Sequence, residues 1–213
     1  MIIYNPIDGD CLTAPIASKP RHCFLMTRLG NPKPSMIDDI QAQIQECCAN
    51  HSYTVIDANS RVTGRDFLLK IWNLIASVPL AIAIIHEDVP HTTQGNIYYE
   101  FGVAQALGKE TLIVKSEKSS IPSDFIRSEY IEFNSNFTQK FNSYLEEIFD
   151  QAKHYELVAD LLEQNPILAI DYLRRAFLIT GEPELKNKAK LIAQNAGFHN
   201  RAKNSVELLA AEF

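Results

Sequence analysis

The chain has 213 residues, 46% of them apolar and 22% charged, the make-up of a water-soluble globular protein with one large domain or one domain and a small appendage. Its formal charge of −6 argues against a large nucleic-acid footprint but leaves room for a basic pocket around one phosphate. The longest apolar run, Val78 to Ile85, falls far short of the roughly 20 residues needed to span a bilayer. Met1 to Pro20 also lacks the basic start and apolar core of a signal peptide, so a cytoplasmic location is expected.

Residues 1–20 carry Pro6, Gly9, Pro15 and Pro20 and read as an irregular lead-in. His22–Thr27 is a short apolar run suited to a buried strand. After a Gly/Pro loop, Ser35 is expected to cap a helix to about Ala49, with Met36, Ile40 and Ile44 on its apolar face and Cys47 and Cys48 continuing it. Ser52–Ile56 reads as a second strand ending at Asp57, and Arg65–Ser77 as a helix presenting Leu68, Ile71, Trp72 and Ile75. Leu80–Ile85 is apolar throughout, as a central parallel strand buried on both faces should be. The loop His86–Gly95 follows, then a helix expected from near Asn96 to Leu107 with Gly108 as its stop. Thr111–Lys115 and Tyr130–Phe133 read as two more strands, and Asn136 is expected to cap a long helix to about Tyr155.

The alternation predicts an α/β domain over residues 21–150: a Rossmann-like, flavodoxin-like parallel sheet of about five strands with helices on both faces. Ligands of such sheets bind at the carboxyl ends of the strands, so the loops after Thr27, Ile56 and Ile85 are expected to gather at one edge. Residues 151–213 show helical patterns alone and read as a C-terminal helical appendage. Its stripes are Leu157, Leu161 and Leu162; Ile170, Leu173, Phe177 and Leu178; and Leu185, Ala189 and Ile192. Its expected role is packing, on the first domain, on a partner or in a homo-oligomer.

The cysteines, Cys11, Cys23, Cys47 and Cys48, form no CxxC pair and read as idle thiols of a reducing compartment. His86, Asp88 and His91 make a loose H-x-D-x-x-H pattern without the spacing of a zinc site, so no metal is expected. No G-x-G-x-x-G, Walker or G-x-S-x-G motif occurs.

The segment with most chemical content is Gly95–Lys109, G-N-I-Y-Y-E-F-G-V-A-Q-A-L-G-K. Asn96 and Glu100 are four apart and share a helix face, with Cβ atoms roughly 6 Å apart. Gly102, Ala104 and Ala106 are small enough to let the helix lie close to its neighbours. With the helix starting at Asn96, Glu100 falls near the positive end of its dipole, which favours the ionised carboxylate. Arg28, after the first strand, is a candidate phosphate contact. Asp57, ending the second, is a candidate for ribose hydroxyls. Of Tyr98 and Tyr99, one is expected to face the core and the other is a candidate for stacking on a base.

From Leu80 to Val114 the chain resembles the nucleoside 2-deoxyribosyltransferase-like group and its relatives, the bacterial Toll/interleukin-1 receptor (TIR)-like domains. The shared elements are L-A-I-A-I-I, Asp88 in the loop, Asn96-x-x-x-Glu100-x-Gly102-x-Ala104, Gly108-Lys109 and T-L-I-V. F-L-M-T-R-L-G resembles the opening of that fold, which extends the likeness over residues 21–150. The resemblance implies a catalytic role for Glu100 in cleaving an N-glycosidic bond, by hydrolysis or transfer. The substrate would be NAD, a nucleoside or a nucleoside monophosphate. Arg28, Asp57, Asp88, Asn96 and Tyr99 would bind it. NAD would enter as substrate; no cofactor is implied, and antiphage defence or nucleotide signalling is the setting such relatives suggest. Many members place an Asp almost directly after the third strand, whereas here His86 and Glu87 precede Asp88. The alternative is a non-catalytic nucleotide sensor or a TIR-like assembly module using the same pocket.

Overall fold

The structure, a computed structural model, describes residues 9, 16–30, 33–58, 67–125, 128–162 and 164–195. Most of the expected lead-in and of the loop from Ala58 to Gly64 lies outside these residues, as do Cys11 and the start of the helix expected from Arg65. In chain order the elements are β1 (His22–Met26), α1 (Ser35–Asn50), β2 (Thr54–Asp57), α2 (Phe67–Ser77), β3 (Leu80–Ile85), α3 (His91–Ala106), β4 (Glu110–Lys115), β5 (Tyr130–Glu132), α4 (Phe137–Leu161), α5 (Pro166–Thr180) and α6 (Pro183–Asn195). The chain divides into two compact units, with the boundary inside α4. One runs from His22 to Glu146; the other joins the segment up to Arg21 with the chain from Glu147.

The first unit is a Rossmann-like α/β fold. Its five strands are all parallel in the order β2-β1-β3-β4-β5, the flavodoxin-like arrangement. β3 is buried along its whole length because it sits mid-sheet, covered on both faces. Phe24, Met26, Ala81, Ala83, Ile85 and Ile113 project to one face, where Ile71 and Ile75 of α2 and Ile97, Phe101 and Ala104 of α3 cover them. Cys23 projects to the other, in hydrogen-bonding contact with Cys48 of α1. Cys23, Cys47 and Cys48 are free, buried thiols.

Four local expectations change. Ser35 does not cap α1: Pro34 occupies that position and no side chain among the described residues caps the helix. The buried face of α1 runs through Ile37, not Met36, which is exposed. α3 begins at His91, five residues before Asn96, directly after Pro90. Proline preorganises the backbone for a helix start and has no N–H to leave unsatisfied. Of the three small residues of α3, Ala104 makes the close approach; Gly102 faces open space and Ala106 is exposed.

In the second unit Asn165 caps α5 by accepting from the Leu168 N–H (3.3 Å), and Gly181, at φ 75°, ends it in the left-handed region. Ile170, Leu173, Phe177, Leu178, Leu185 and Ala189 are buried as expected. Leu157 and Leu161 are not core: they are 63% and 84% exposed. Among the described residues no helix is long and apolar enough to cross a membrane.

Candidate functional site

Strand order reverses direction between β1 and β3, and parallel pairing of β2, β1 and β3 brings their carboxyl ends to one edge. Asp57, Thr27 with Arg28, and His86 with Glu87 stand there, which is the gathering the strand pattern implied. Asp57 is half-buried opposite Leu25. Thr27 is only 5% exposed, and its Oγ1 is buried with no hydrogen-bond partner among the described residues. An orphaned buried hydroxyl costs roughly 1–3 kcal/mol. Arg28 is half-buried and makes no ion pair among the described residues.

α3 packs on β3, β4, β1 and α2. Ile97, Phe101 and Ala104 form its core stripe. At roughly 100° per residue, Tyr98 and Gln105 fall on one flank of that stripe, and Glu100 and Asn96 on the other. Tyr98 stacks on Phe125 (centroids 5.1 Å apart), and Gln105 donates to Ser128 (2.9 Å), both in the β4–β5 connection. The flank with Asn96 and Glu100 therefore turns toward α2 and β1, the side of the switch point. Asn96 is exposed and Glu100 half-buried. Tyr98 is the core-facing tyrosine, its hydroxyl buried with no partner among the described residues, and Tyr99 is 48% exposed.

The earlier start of α3 changes the electrostatics of Glu100. Nine residues after His91, it lies about 13 Å along the axis, beyond the first turn in which the dipole acts. Among the described residues, no hydrogen bond or ion pair engages its carboxyl. Desolvation wins, raising its pKa from 4.5 to about 7, so the expected dipole-stabilised carboxylate is replaced by a carboxyl that burial keeps near half-protonated at neutral pH.

The turn between β3 and α3 is tightly held. The His86 carbonyl accepts from the Val89 N–H and from Gln94 Nε2, both at 3.0 Å, and Gln94 Nε2 also donates to the Val89 carbonyl (2.9 Å). His86 Nδ1 accepts from the Asp88 N–H (3.0 Å), which leaves the proton of a neutral ring on Nε2. The Asp88 side chain is 71% exposed. His91 is exposed at the start of α3, and no group of three or more potential metal ligands occurs among the described residues.

One cluster had no counterpart in the motif reading. Glu87 Oε2 accepts from Ser116 Oγ and from Ser119 Oγ (3.1 Å), and the two serine hydroxyls lie 2.7 Å apart. The Ser116 hydrogen bond is the main reason the Glu87 carboxyl sits below its ordinary pKa. Alongside, the buried Lys115 ammonium donates to the Ser119 carbonyl (3.2 Å) and pairs with Glu132 (2.7 Å). The polar K-S-x-x-S directly after an apolar strand was the available signal; its partner lies about thirty residues earlier in the chain.

No family model matches the chain, and no curated protein matches it. Among solved structures, a CMP N-glycosidase of Clostridium botulinum, BcmB, is 21% identical over 58% of this chain and 98% of its own, with a TM-score of 0.42. The chain thus has a distant structural likeness to that protein, and its site is defined by its own residues.

Proposed function

We propose that the α/β unit cleaves an N-glycosidic bond in a nucleotide-type substrate, with Glu100 as the catalytic carboxyl. The observation that carries the reading is the state of Glu100: half-buried, unpartnered among the described residues, with a pKa of about 7, on the flank of α3 that turns toward the switch point. A group titrating near the working pH serves both as acid and as base. Breaking the bond between C1′ and the base nitrogen leaves positive charge on the ribosyl ring. The ionised Glu100 stabilises that charge in a low-dielectric setting where little water competes. It then takes the proton from the attacking water, or bonds to C1′ where a second nucleophile is the acceptor. Asn96, one turn closer to the strand ends, orients the sugar, and Arg28 with Asp57 or Asp88 supplies polar contacts to the rest of the substrate. Tyr99 offers an aromatic face for the base.

The test incubates wild-type and Glu100→Gln protein with NAD, nucleosides, deoxynucleosides and their monophosphates, and follows released base by chromatography. Release by wild type and not by the variant, with ligand affinity retained, is the expected result. A ligand that raises the melting temperature of both proteins while neither releases base moves the assignment to a sensor.

A further inference from the structure

The second unit carries a groove where its three helices meet. The end of α4, the start of α5 and the end of α6 wall a space of about 720 Å³. Ala159, Leu162, Pro166, Ala169, Leu191 and Ile192 supply its apolar lining. The two alanines are buried, Leu162, Pro166 and Ile192 are half-buried, and Leu191 is 57% exposed. Leu161, next to Leu162 on the rim, is 84% exposed. Open apolar side chains grouped in this way mark a surface that another apolar face covers.

The chain itself supplies such a face beside the groove. α6 ends at Asn195, which lines the groove, so the residues that follow leave from its wall. Residues 204–213 read N-S-V-E-L-L-A-A-E-F. Val206, Leu209, Ala210 and Phe213 recur at i, i+3, i+4 and i+7, the spacing of one apolar helix face. Asn204, with Glu207 three residues on, has the pattern of a helix start closed by a capping box. A helix this short is marginal alone in water, because nucleation costs more than two turns return, so it needs a surface for its apolar face. The intervening stretch, 196–203, can span up to about 26 Å, and a tether this short holds the segment at an effective concentration on the order of millimolar. Charge agrees as well. Lys188 of the groove is held by Asp160 (2.6 Å) and Glu156 (3.2 Å), but Lys190, exposed beside Leu191, makes no ion pair among the described residues. Glu207 and Glu212 flank the apolar face of the segment and bring the opposite sign.

We infer that residues 204–213 dock as an amphipathic helix in this groove of their own chain, with Val206, Leu209, Ala210 and Phe213 laid against Leu162, Leu191 and Ile192. The docking is confined to the second unit and stands apart from the glycosidase reading.

Hydrogen exchange of the full chain, followed by mass spectrometry, tests it. The amides of Leu208–Phe213 should exchange about tenfold or more slowly than in an unfolded chain, at a rate independent of protein concentration. Leu209→Glu on the segment and Leu191→Glu on the groove should each return them to within about twofold of the unfolded rate. In Leu209→Glu the amides of Leu191–Asn195 should lose protection too, since the last turn of α6 forms one wall. That reciprocal loss carries the test if Leu191→Glu fails to fold. Exchange of Leu208–Phe213 at unfolded rates in the wild type overturns the docking. So does protection that survives Leu191→Glu, which puts the segment on another surface. Protection that grows with concentration, together with a dimer mass in light scattering, overturns docking within one chain and gives the groove to a second copy.

Discussion

Two neighbouring stretches of the same sheet edge treat their polar groups in opposite ways. At the ends of β3 and β4 the accounts are closed by hydrogen bonds: Glu87 with Ser116 and Ser119, Lys115 with Glu132 and the Ser119 carbonyl, Gln94 with the turn. At the end of β1 and on the facing flank of α3, Thr27 and Glu100 are withdrawn from water and find no hydrogen-bond partner among the described residues. The two carboxyls register the contrast, Glu87 pulled down by donors and Glu100 pushed up by desolvation. A stable fold closes its hydrogen bonds where it can, so the open stretch is where a ligand has something to complete.

The sharpest attempt to break this comparison is Glu100→Gln. Turnover should fall by about 10²–10⁴, while affinity for the same ligand stays largely intact. A variant retaining most of its activity would remove Glu100 from the chemistry.

The same substitution should stabilise the protein, and only above a certain pH. Glu100 has a folded pKa of about 7 against an ordinary 4.5, so between these values the folded state holds a proton that the unfolded state has released. Stability therefore declines as pH rises through this window, and the full cost, up to about 3 kcal/mol, is present above it. Glu100→Gln abolishes the cost. Its melting temperature should exceed that of wild type by several degrees at pH 8, roughly 5 °C, and match it near pH 4.5. Equal melting temperatures at both pH values would mean that the carboxyl is better solvated than its position implies. In activity, kcat/KM should rise with pH through a limb near 7, as the ionised form accumulates.

The closed region should behave in the opposite sense. Ser116→Ala removes a donor from an ionised carboxylate and should destabilise by about 1–2 kcal/mol at neutral pH, measured by urea unfolding. The Glu87 carboxyl lies below its ordinary pKa of 4.5, so its contribution is present above that value and is lost as pH falls through the folded pKa. The difference between variant and wild type should shrink in acid. A smaller effect still is expected of Asp88→Asn, whose side chain is mostly in water. Its stability should change by less than about 0.5 kcal/mol. A rise in KM with unchanged kcat would then identify it as a substrate contact, and no kinetic change would exclude it.

Much of this was legible in the residues. Leu80–Ile85 occupies the strand expected of it, since an unbroken apolar run has one comfortable place in a parallel sheet. Asn96 and Glu100 share a flank of α3 because helical spacing is local geometry. The start of that helix was not legible, since Gly95 reads as punctuation when taken alone. In the fold it lies in the second turn with open space beside it, carried by Ile97, Phe101 and Ala104 packing onto the sheet. α1 and α3 each begin directly behind a proline, and α5 and α6 begin on one, so proline marked these starts better than the polar caps did.

Local periodicity, then, was enough to determine the fold class and to single out the helix that bears Glu100, because strand and helix repeats are written within a few residues of one another. The ionisation of Glu100, the serines that hold Glu87 and the orphaned hydroxyl of Thr27 were decided by tertiary structure alone. Desolvation and hydrogen-bond partners depend on which distant segments the fold stacks together, and no window of sequence contains them.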